Sequence, residues 1–182
     1  MHYMKSILKA TMIISFLLTA TCGHAQDKFS VELQKHSLTA NFLSPGLQYE
    51  AKLSDNKSVV VSGGLSATAG WSGFNGFITT VRPFLSTEYR SYYSRKTQKK
   101  SLQSNSGNYI GGILGYQFNE LTGEYRSTFN NRLMGGAVWG IQRRYQSNLQ
   151  LGVQAGLVMT YDDYFGIGGN AMARVQLGWI IR

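Results

Sequence analysis

Few residues in this sequence have side chains suited to catalysis, and the first candidates are the neighbours His36 and Ser37. A serine hydrolase needs a base within hydrogen-bonding reach of its nucleophile. Adjacent residues of an extended strand point to opposite faces, so these two side chains cannot act on one another. Ser62 or Ser86 would meet His36 only through the tertiary fold. We therefore expect no enzymatic activity and keep a lipid-modifying hydrolase only as a third functional hypothesis.

The sequence is equally poor in ligands for metals and cofactors. Asp162 and Asp163 are adjacent and could hold Ca²⁺ or Mg²⁺ loosely, but acids in a turn are usually solvated. The glycine-rich stretch 166–169 lacks the strand-to-helix context of a nucleotide-binding loop. Beyond residue 25 the chain has no Cys and only one His, His36, which excludes Cys-based zinc sites. We expect no metal and no cofactor.

The N-terminus has the layout of a secretory signal peptide. Lys5 and Lys9 precede an apolar stretch at 11–20, which is shorter than the roughly 20 residues of a transmembrane helix. Small residues then supply a cleavage site after Ala25. The alternatives are an uncleaved membrane anchor and lipidation at Cys22, although the residues before Cys22 do not fit a lipobox. The sequence therefore predicts export from the cytoplasm.

With a signal peptide at 1–25, residues 26–182 are expected to form one domain. Only 15% of the chain is charged, against about 25% in a typical soluble domain. The formal net charge of +9 could suggest nucleic acid, but no recognition helix or arginine stripe supports that partner. The basic run 95–100 is interpreted as a solvated turn, with anionic lipid or a periplasmic partner as the alternative.

Apolar and polar residues alternate along the chain after residue 25, as expected of β-strands. From Leu149 to Tyr161 every odd-numbered residue is apolar or aromatic, and the even-numbered ones are mostly Gly and Gln. Five further segments repeat the pattern, near 58–69, 81–93, 109–118, 133–145 and 171–182. Segments of about ten alternating residues separated by turns are typical of transmembrane β-barrels.

Alternation alone does not decide which face points outward, because a soluble lipocalin-like barrel alternates as well. The polar face carries Gly, Ser and Gln with a few Arg and Glu, and it lacks the Lys and Glu of a water-facing exterior. The apolar face carries large residues, with Tyr, Trp and Phe near the strand ends, as in aromatic girdles. The composition favours an outer-membrane barrel over a soluble secreted one.

Loop chemistry predicts eight strands, in an all-β, antiparallel, up-and-down transmembrane β-barrel. Tight turns are predicted at 54–57 and 146–148, a moderate connection at 95–106, and longer loops at 71–80, 119–131 and 162–169. Placing the tight turns in the periplasm requires a first strand within 29–43, with a bend at 44–46. A single bulged strand over 38–53 is the rival and would leave seven strands or an undetected eighth.

Charged residues on the polar faces are expected to point into the lumen. They are Glu50, Lys52, Arg82, Glu88, Arg90, Arg144 and Arg174. An eight-stranded barrel is barely wide enough for its own side chains, and buried charges must pair. The favoured hypothesis is a structural plug made by the two glutamates and the arginines. The second hypothesis is a narrow pore for ions or small solutes lined by the same residues.

The chain resembles the small outer-membrane β-barrel proteins of Bacteroidota and is broadly similar to the OmpA-type barrel domain. The residues that carry the resemblance are 44–50 (SPGLQYE) with 53–54 (LS), 88–93 (EYRSYY) and 105–109 (NSGNY). The resemblance implies a cell outer membrane location and brings no catalytic residues. The expected partners are outer-membrane lipid and lipopolysaccharide, with the barrel-assembly machinery during insertion. The resemblance does not predict the oligomeric state.

Overall fold

The computed structural model describes residues 32–72, 76–93, 102–121, 131–162 and 166–181. The signal peptide expected at 1–25 lies outside the described residues. Eight β-strands account for most of the described chain. They are β1 (His36–Asn41), β2 (Gly46–Ser54), β3 (Lys57–Ser72), β4 (Gly76–Tyr93), β5 (Gly107–Gln117), β6 (Arg132–Arg144), β7 (Leu149–Asp162) and β8 (Gly166–Ile181).

Each strand pairs antiparallel with the next one in the chain, and β1 also pairs with β8. The prediction of an all-β fold with eight antiparallel up-and-down strands is confirmed, and the strands form one ring-like sheet. We call the base of the ring the end at which β2 turns into β3 and β6 turns into β7. The seam between β1 and β8 is short, since it spans only Leu38–Asn41 on β1.

The first strand is β1, which lies within the predicted range 29–43, and a turn at 42–45 separates it from β2. The rival of one bulged strand over 38–53 is therefore wrong. The apolar phase slips before Leu38 because residues 32–35 are not part of β1. They lead into the ring from its base.

Two of the predicted longer loops are shorter than expected. Ser72 pairs with Gly76, so β3 and β4 continue through most of the range 71–80. In the same way Asp162 pairs with Gly166, and β8 includes the glycine-rich stretch that suggested a loop. Pairing with a long neighbouring strand here outweighs the turn preference of glycine.

The two faces of the sheet differ in chemistry as the alternation predicts. On β7 the buried residues include Gln150 and Gln154, which face the interior of the ring. Leu151 and Val153 face outward, as does Leu157, which is 74% exposed. The interior is thus filled by polar side chains, whereas large apolar side chains cover the outside.

Candidate functional site

The centre of the interior is Glu50, whose side chain is fully buried. Its Oε1 accepts hydrogen bonds from the Ser58 hydroxyl and the Tyr92 hydroxyl, both at 2.7 Å. Its Oε2 accepts one from Nη2 of Arg144 at 3.0 Å and one from Nε2 of Gln142 at 3.2 Å. Four donors from three other strands therefore converge on one carboxylate.

Strand register explains this convergence. Glu50 is an inward position of β2, and its Cα partner on β3 is Val60, two residues from Ser58. Arg144 and Gln142 lie on β6, on the other side of the ring, and their long side chains reach across the interior to Glu50. Breaking a buried ion pair of this kind typically costs about 3–5 kcal/mol, because it leaves one charge uncompensated.

A second ion pair lies next to the first. Nη2 of Arg90 donates to Oε2 of Glu88 at 2.9 Å, and Nε2 of Gln154 donates to Oε1 of the same carboxylate. The Arg90 guanidinium also lies 4.4 Å from the ring centroid of Tyr109, a cation–π distance. Its Nη1 donates to Oε1 of Gln142 at 2.9 Å. Since Gln142 also bonds to Glu50, the two ion pairs belong to one network.

The structure brings together four of the seven residues that the sequence placed in the lumen. Glu50, Glu88, Arg90 and Arg144 form the network described above. Arg174 also points inward, but its guanidinium lies 5.3 Å from the ring centroid of Phe84. It extends the filled interior away from the base.

The other two predicted residues lie apart from this network. Arg82 is buried, and its Nη2 lies 3.7 Å from Oε2 of Glu120, just beyond β5. Lys52 differs from the expectation, because its Nζ lies 3.1 Å from Oδ1 of Asp55 in the exposed turn at the base. The physical reason is position: β2 ends at Ser54, so Lys52 reaches water more easily than the interior.

Sequence reasoning missed the uncharged half of the network. Gln142, Gln150 and Gln154 are almost completely buried, as are Tyr92 and Asn105. The glutamines and Tyr92 could have been found from the alternation of residues along each strand, which predicts which side chains face inward. Each occupies an inward position of its strand, where a long polar side chain must hydrogen-bond to another group.

An apolar layer lies on the far side of this network from the base. Ile113, Met134, Val138 and Val158 form a buried cluster inside the ring, and Met172 packs against it. These side chains come from the four consecutive strands β5, β6, β7 and β8, so the cluster lines one side of the interior. The described interior therefore combines a polar network with an apolar cluster on this side.

Two chain segments close the base. Leu33 is buried against Tyr92 and Tyr109. The backbone N–H of Asn105 donates to the carbonyl of Glu32 at 2.8 Å, which ties the segment before β1 to the segment before β5. The predicted moderate connection 95–106 therefore ends in a structured part of the closure, at 102–106, whereas the basic run 95–100 lies outside the described residues.

His36 and the serines considered as nucleophiles lie on opposite surfaces of the sheet. The His36 ring is exposed and stacks on Tyr49, whose hydroxyl lies 2.6 Å from Nδ1. Ser37, Ser62 and Ser86 are buried inside. This arrangement gives His36 no contact with any of these three hydroxyls.

The cluster suits cross-linking of strands more than binding of a substrate, since both oxygens of Glu50 are occupied by donors of the chain itself. Within the described ranges no group of three His, Cys, Asp or Glu side chains could hold a metal ion. No helix among the described residues is long and apolar enough to cross a membrane. Comparisons with protein-family models, with curated proteins and with solved structures give no match.

Proposed function

We propose that this chain is an outer-membrane β-barrel with a structural or interaction role, whose lumen is closed by its own side chains. The observation that carries the proposal is the chemistry of the two surfaces. Buried ion pairs and glutamines fill the inside, and apolar side chains such as Leu157 and Ile167, 74% and 71% exposed, face outward. A water-soluble protein places its apolar side chains away from water, whereas a lipid bilayer favours them on the outside.

The distribution of charge on the outer surface supports a membrane environment. Among the described outward-facing side chains of the strands there is no Asp or Glu, and the basic residues lie only near the base. They are His36, Lys57 and Arg143. A basic side chain at the bilayer midplane costs about 2–4 kcal/mol, and this cost falls toward the interface. The outer surface is therefore compatible with hydrocarbon along its height and with headgroups at its base.

The height of the apolar surface fits a bilayer. On β7 the outward residues from Leu151 to Tyr161 are all apolar or aromatic. Ten steps of about 3.3 Å give about 33 Å along the strand, or about 25 Å of height at a tilt near 40°. An apolar band about 25 Å tall is typical of outer-membrane barrels.

Aromatic side chains border this surface at both ends. Tyr93 and Trp139 are exposed toward the base, and the indole N–H of Trp139 donates to the Tyr93 hydroxyl. Phe118 and Tyr161 are exposed toward the opposite end. Aromatic rings with a polar edge favour the headgroup level of a membrane. The pattern supports two interfacial belts.

The filled interior favours a plug over the alternative of a pore. A conducting path would have to cross the ion-pair network of Glu50 and Glu88, the apolar layer around Val138, and the closure at Leu33. Paired charges and packed side chains leave an ion no polar, hydrated route. We therefore propose a closed lumen, in contact with outer-membrane lipid and lipopolysaccharide outside, and insertion by the barrel-assembly machinery after export.

Gel mobility tests the membrane proposal. Closed barrels resist detergent until they are boiled, because every backbone hydrogen bond lies between neighbouring strands. We expect the chain to fractionate with outer membranes and to migrate differently before and after boiling. Identical mobility, together with recovery in the soluble periplasmic fraction, would overturn it.

Conductance separates the plug from the pore. We expect no discrete current steps when the folded protein is added to a planar bilayer. A variant that opens the interior, Arg144→Ala with Arg90→Ala, should raise the current if the network is what blocks the lumen. Regular steps with the unaltered chain would favour the pore for ions or small solutes instead.

A further inference from the structure

A shallow, open groove lies on the described outer surface across β4, β5, β6 and β7, with a volume of about 590 Å³. This volume lies within the range of about 300–1,000 Å³ that is typical of ligand sites. The groove exists because three outward positions, Gly112, Ala137 and Ala155, have small side chains. Tyr89 and Leu157 are among the larger side chains that border it.

Strand register defines which end of the groove faces the base. Ile110 pairs with Trp139, and both line the groove. Asn108 pairs with Ile141, one pair of outward residues closer to the base. The indole N–H of Trp139 reaches the hydroxyl of Tyr93, the Cα partner of Asn108 on β4. The groove therefore ends, on the side of the base, at this aromatic pair.

Arg143 lies immediately beyond this aromatic pair. Its Nη2 donates to Oδ1 of Asn108 and its Nη1 to the backbone carbonyl of Gln142, each at 2.9 Å. Both partners are neutral, and no described acidic side chain contacts Arg143. A guanidinium has five N–H donors, so this cation keeps donors for an anion arriving from the groove side.

The spacing between groove and cation matches one leaflet. Arg143 lies six positions after Ala137 on β6. This corresponds to about 20 Å along the strand and about 15 Å of depth at a tilt near 40°. Half of a hydrocarbon core about 30 Å thick is also about 15 Å. A lipid whose phosphate meets Arg143 would place its acyl chain along the groove.

We propose that this groove and Arg143 form a site for one anionic glycerophospholipid in the leaflet at the base of the barrel. The acyl chain fills the space above Gly112, Ala137 and Ala155, and the phosphate pairs with the guanidinium. The positive charge of Arg143 favours an anionic lipid, because Arg143 has no acidic partner among the described residues. The inference rests on the proposed membrane location and adds a lipid class to it.

The test uses residues 26–182, folded into vesicles of equal parts phosphatidylglycerol and phosphatidylcholine and then extracted in mild detergent. Lipids that remain bound are counted by native mass spectrometry. We expect phosphatidylglycerol to be enriched about fivefold, the effect of one basic residue at a membrane surface. Arg143→Gln should abolish the enrichment, whereas Lys57→Gln, at the base of β3, should keep it.

A second pair of variants tests the acyl-chain part of the site. Ala137→Leu with Ala155→Leu fills the groove and should reduce the bound lipid, whereas Ala67→Leu, an outward alanine of β3, should not. Retention of lipid by the filled groove, or equal enrichment in Arg143→Gln and Lys57→Gln, would overturn the site. A dimer that the filled groove abolishes would assign the groove to a second copy instead.

Gel mobility distinguishes failure of this inference from failure of the proposed function. A chain that inserts and shifts on boiling, but shows no lipid preference, contradicts only the lipid site. A chain that never inserts contradicts both proposals. Folding of each variant is checked by the same mobility shift before its lipids are counted.

Discussion

Oε2 of Glu50 and Nη2 of Arg144 lie 3.0 Å apart, although 94 positions separate the two residues in the chain. Both side chains are buried, and the pair joins β2 to β6 across the interior of the ring. Further hydrogen bonds to the charged groups help to stabilise a buried ion pair. Ser58, Tyr92 and Gln142 supply those bonds to the carboxylate.

The first prediction concerns coupling within this pair. Glu50→Gln and Arg144→Met should each destabilise the folded protein by about 3–5 kcal/mol, because each leaves one buried charge unpaired. The double variant should lose less than the sum of the single losses, with a coupling of about 1–3 kcal/mol. Urea midpoints of the four proteins in the same vesicles measure this cycle. Strict additivity would show that the two charges do not interact.

The second prediction compares a buried acid with an exposed one. Glu88→Gln removes the partner of Arg90 inside the ring and should cost about 3–5 kcal/mol. Asp55→Asn removes the partner of Lys52, but the Asp55 side chain is 93% exposed, and surface ion pairs contribute about 0–1 kcal/mol. The urea midpoints should therefore separate clearly. Equal midpoints would contradict the plug formed by the interior network.

The third prediction tests the depth of the outer surface. Leu157 and Leu53 are both exposed and outward-facing, but Leu157 lies midway along β7 and Leu53 next to the turn at the base. In a bilayer Leu157→Arg should cost about 2–4 kcal/mol, and Leu53→Arg about 0–1 kcal/mol. Refolding into vesicles, followed by urea unfolding, gives both values.

A soluble protein predicts a different outcome for the same two variants. Both leucines would then face water, and surface substitutions usually change stability by less than about 0.5 kcal/mol. Two losses that are both near zero would therefore contradict the membrane proposal without any assay of function.

The fourth prediction concerns the seam that closes the ring. A Cβ at Gly178 would lie 2.7 Å from Cγ2 of Thr39 and 2.8 Å from the carbonyl oxygen of Ala40, both on β1. Gly178→Ala should therefore strain the short β1–β8 pairing, at a cost of about 1–3 kcal/mol. Gly169→Ala is the matched control on β8, because a Cβ there meets nothing within 4 Å.

The seam variant is measured by the temperature at which the fast-migrating folded band is lost on a gel. That temperature should fall for Gly178→Ala and stay unchanged or rise slightly for Gly169→Ala, which loses the backbone freedom of glycine. A fall of equal size in both variants would show that the seam tolerates a side chain.

The sequence by itself determined the class of fold and the facing of its strands. The two-residue period from Leu149 to Tyr161 requires a strand with unlike faces, and β7 has them. The inward parity of Glu50, Glu88, Arg90 and Arg144 follows from the same local rule. Which face of the sheet a side chain occupies depends only on its place in the alternation along its own strand, so it can be predicted without knowledge of contacts between strands.

Tertiary structure decided which inward residues meet. The contact between Glu50 and Arg144 depends on closure of the sheet and on register across the whole ring, which no local pattern encodes. Closure also determined that Leu33, outside any strand, is buried beneath Tyr92, whereas the turn after β2 brings Lys52 to Asp55 in the solvent. The groove beside Arg143 arises for the same reason, since its small residues come from three strands that only the folded sheet aligns.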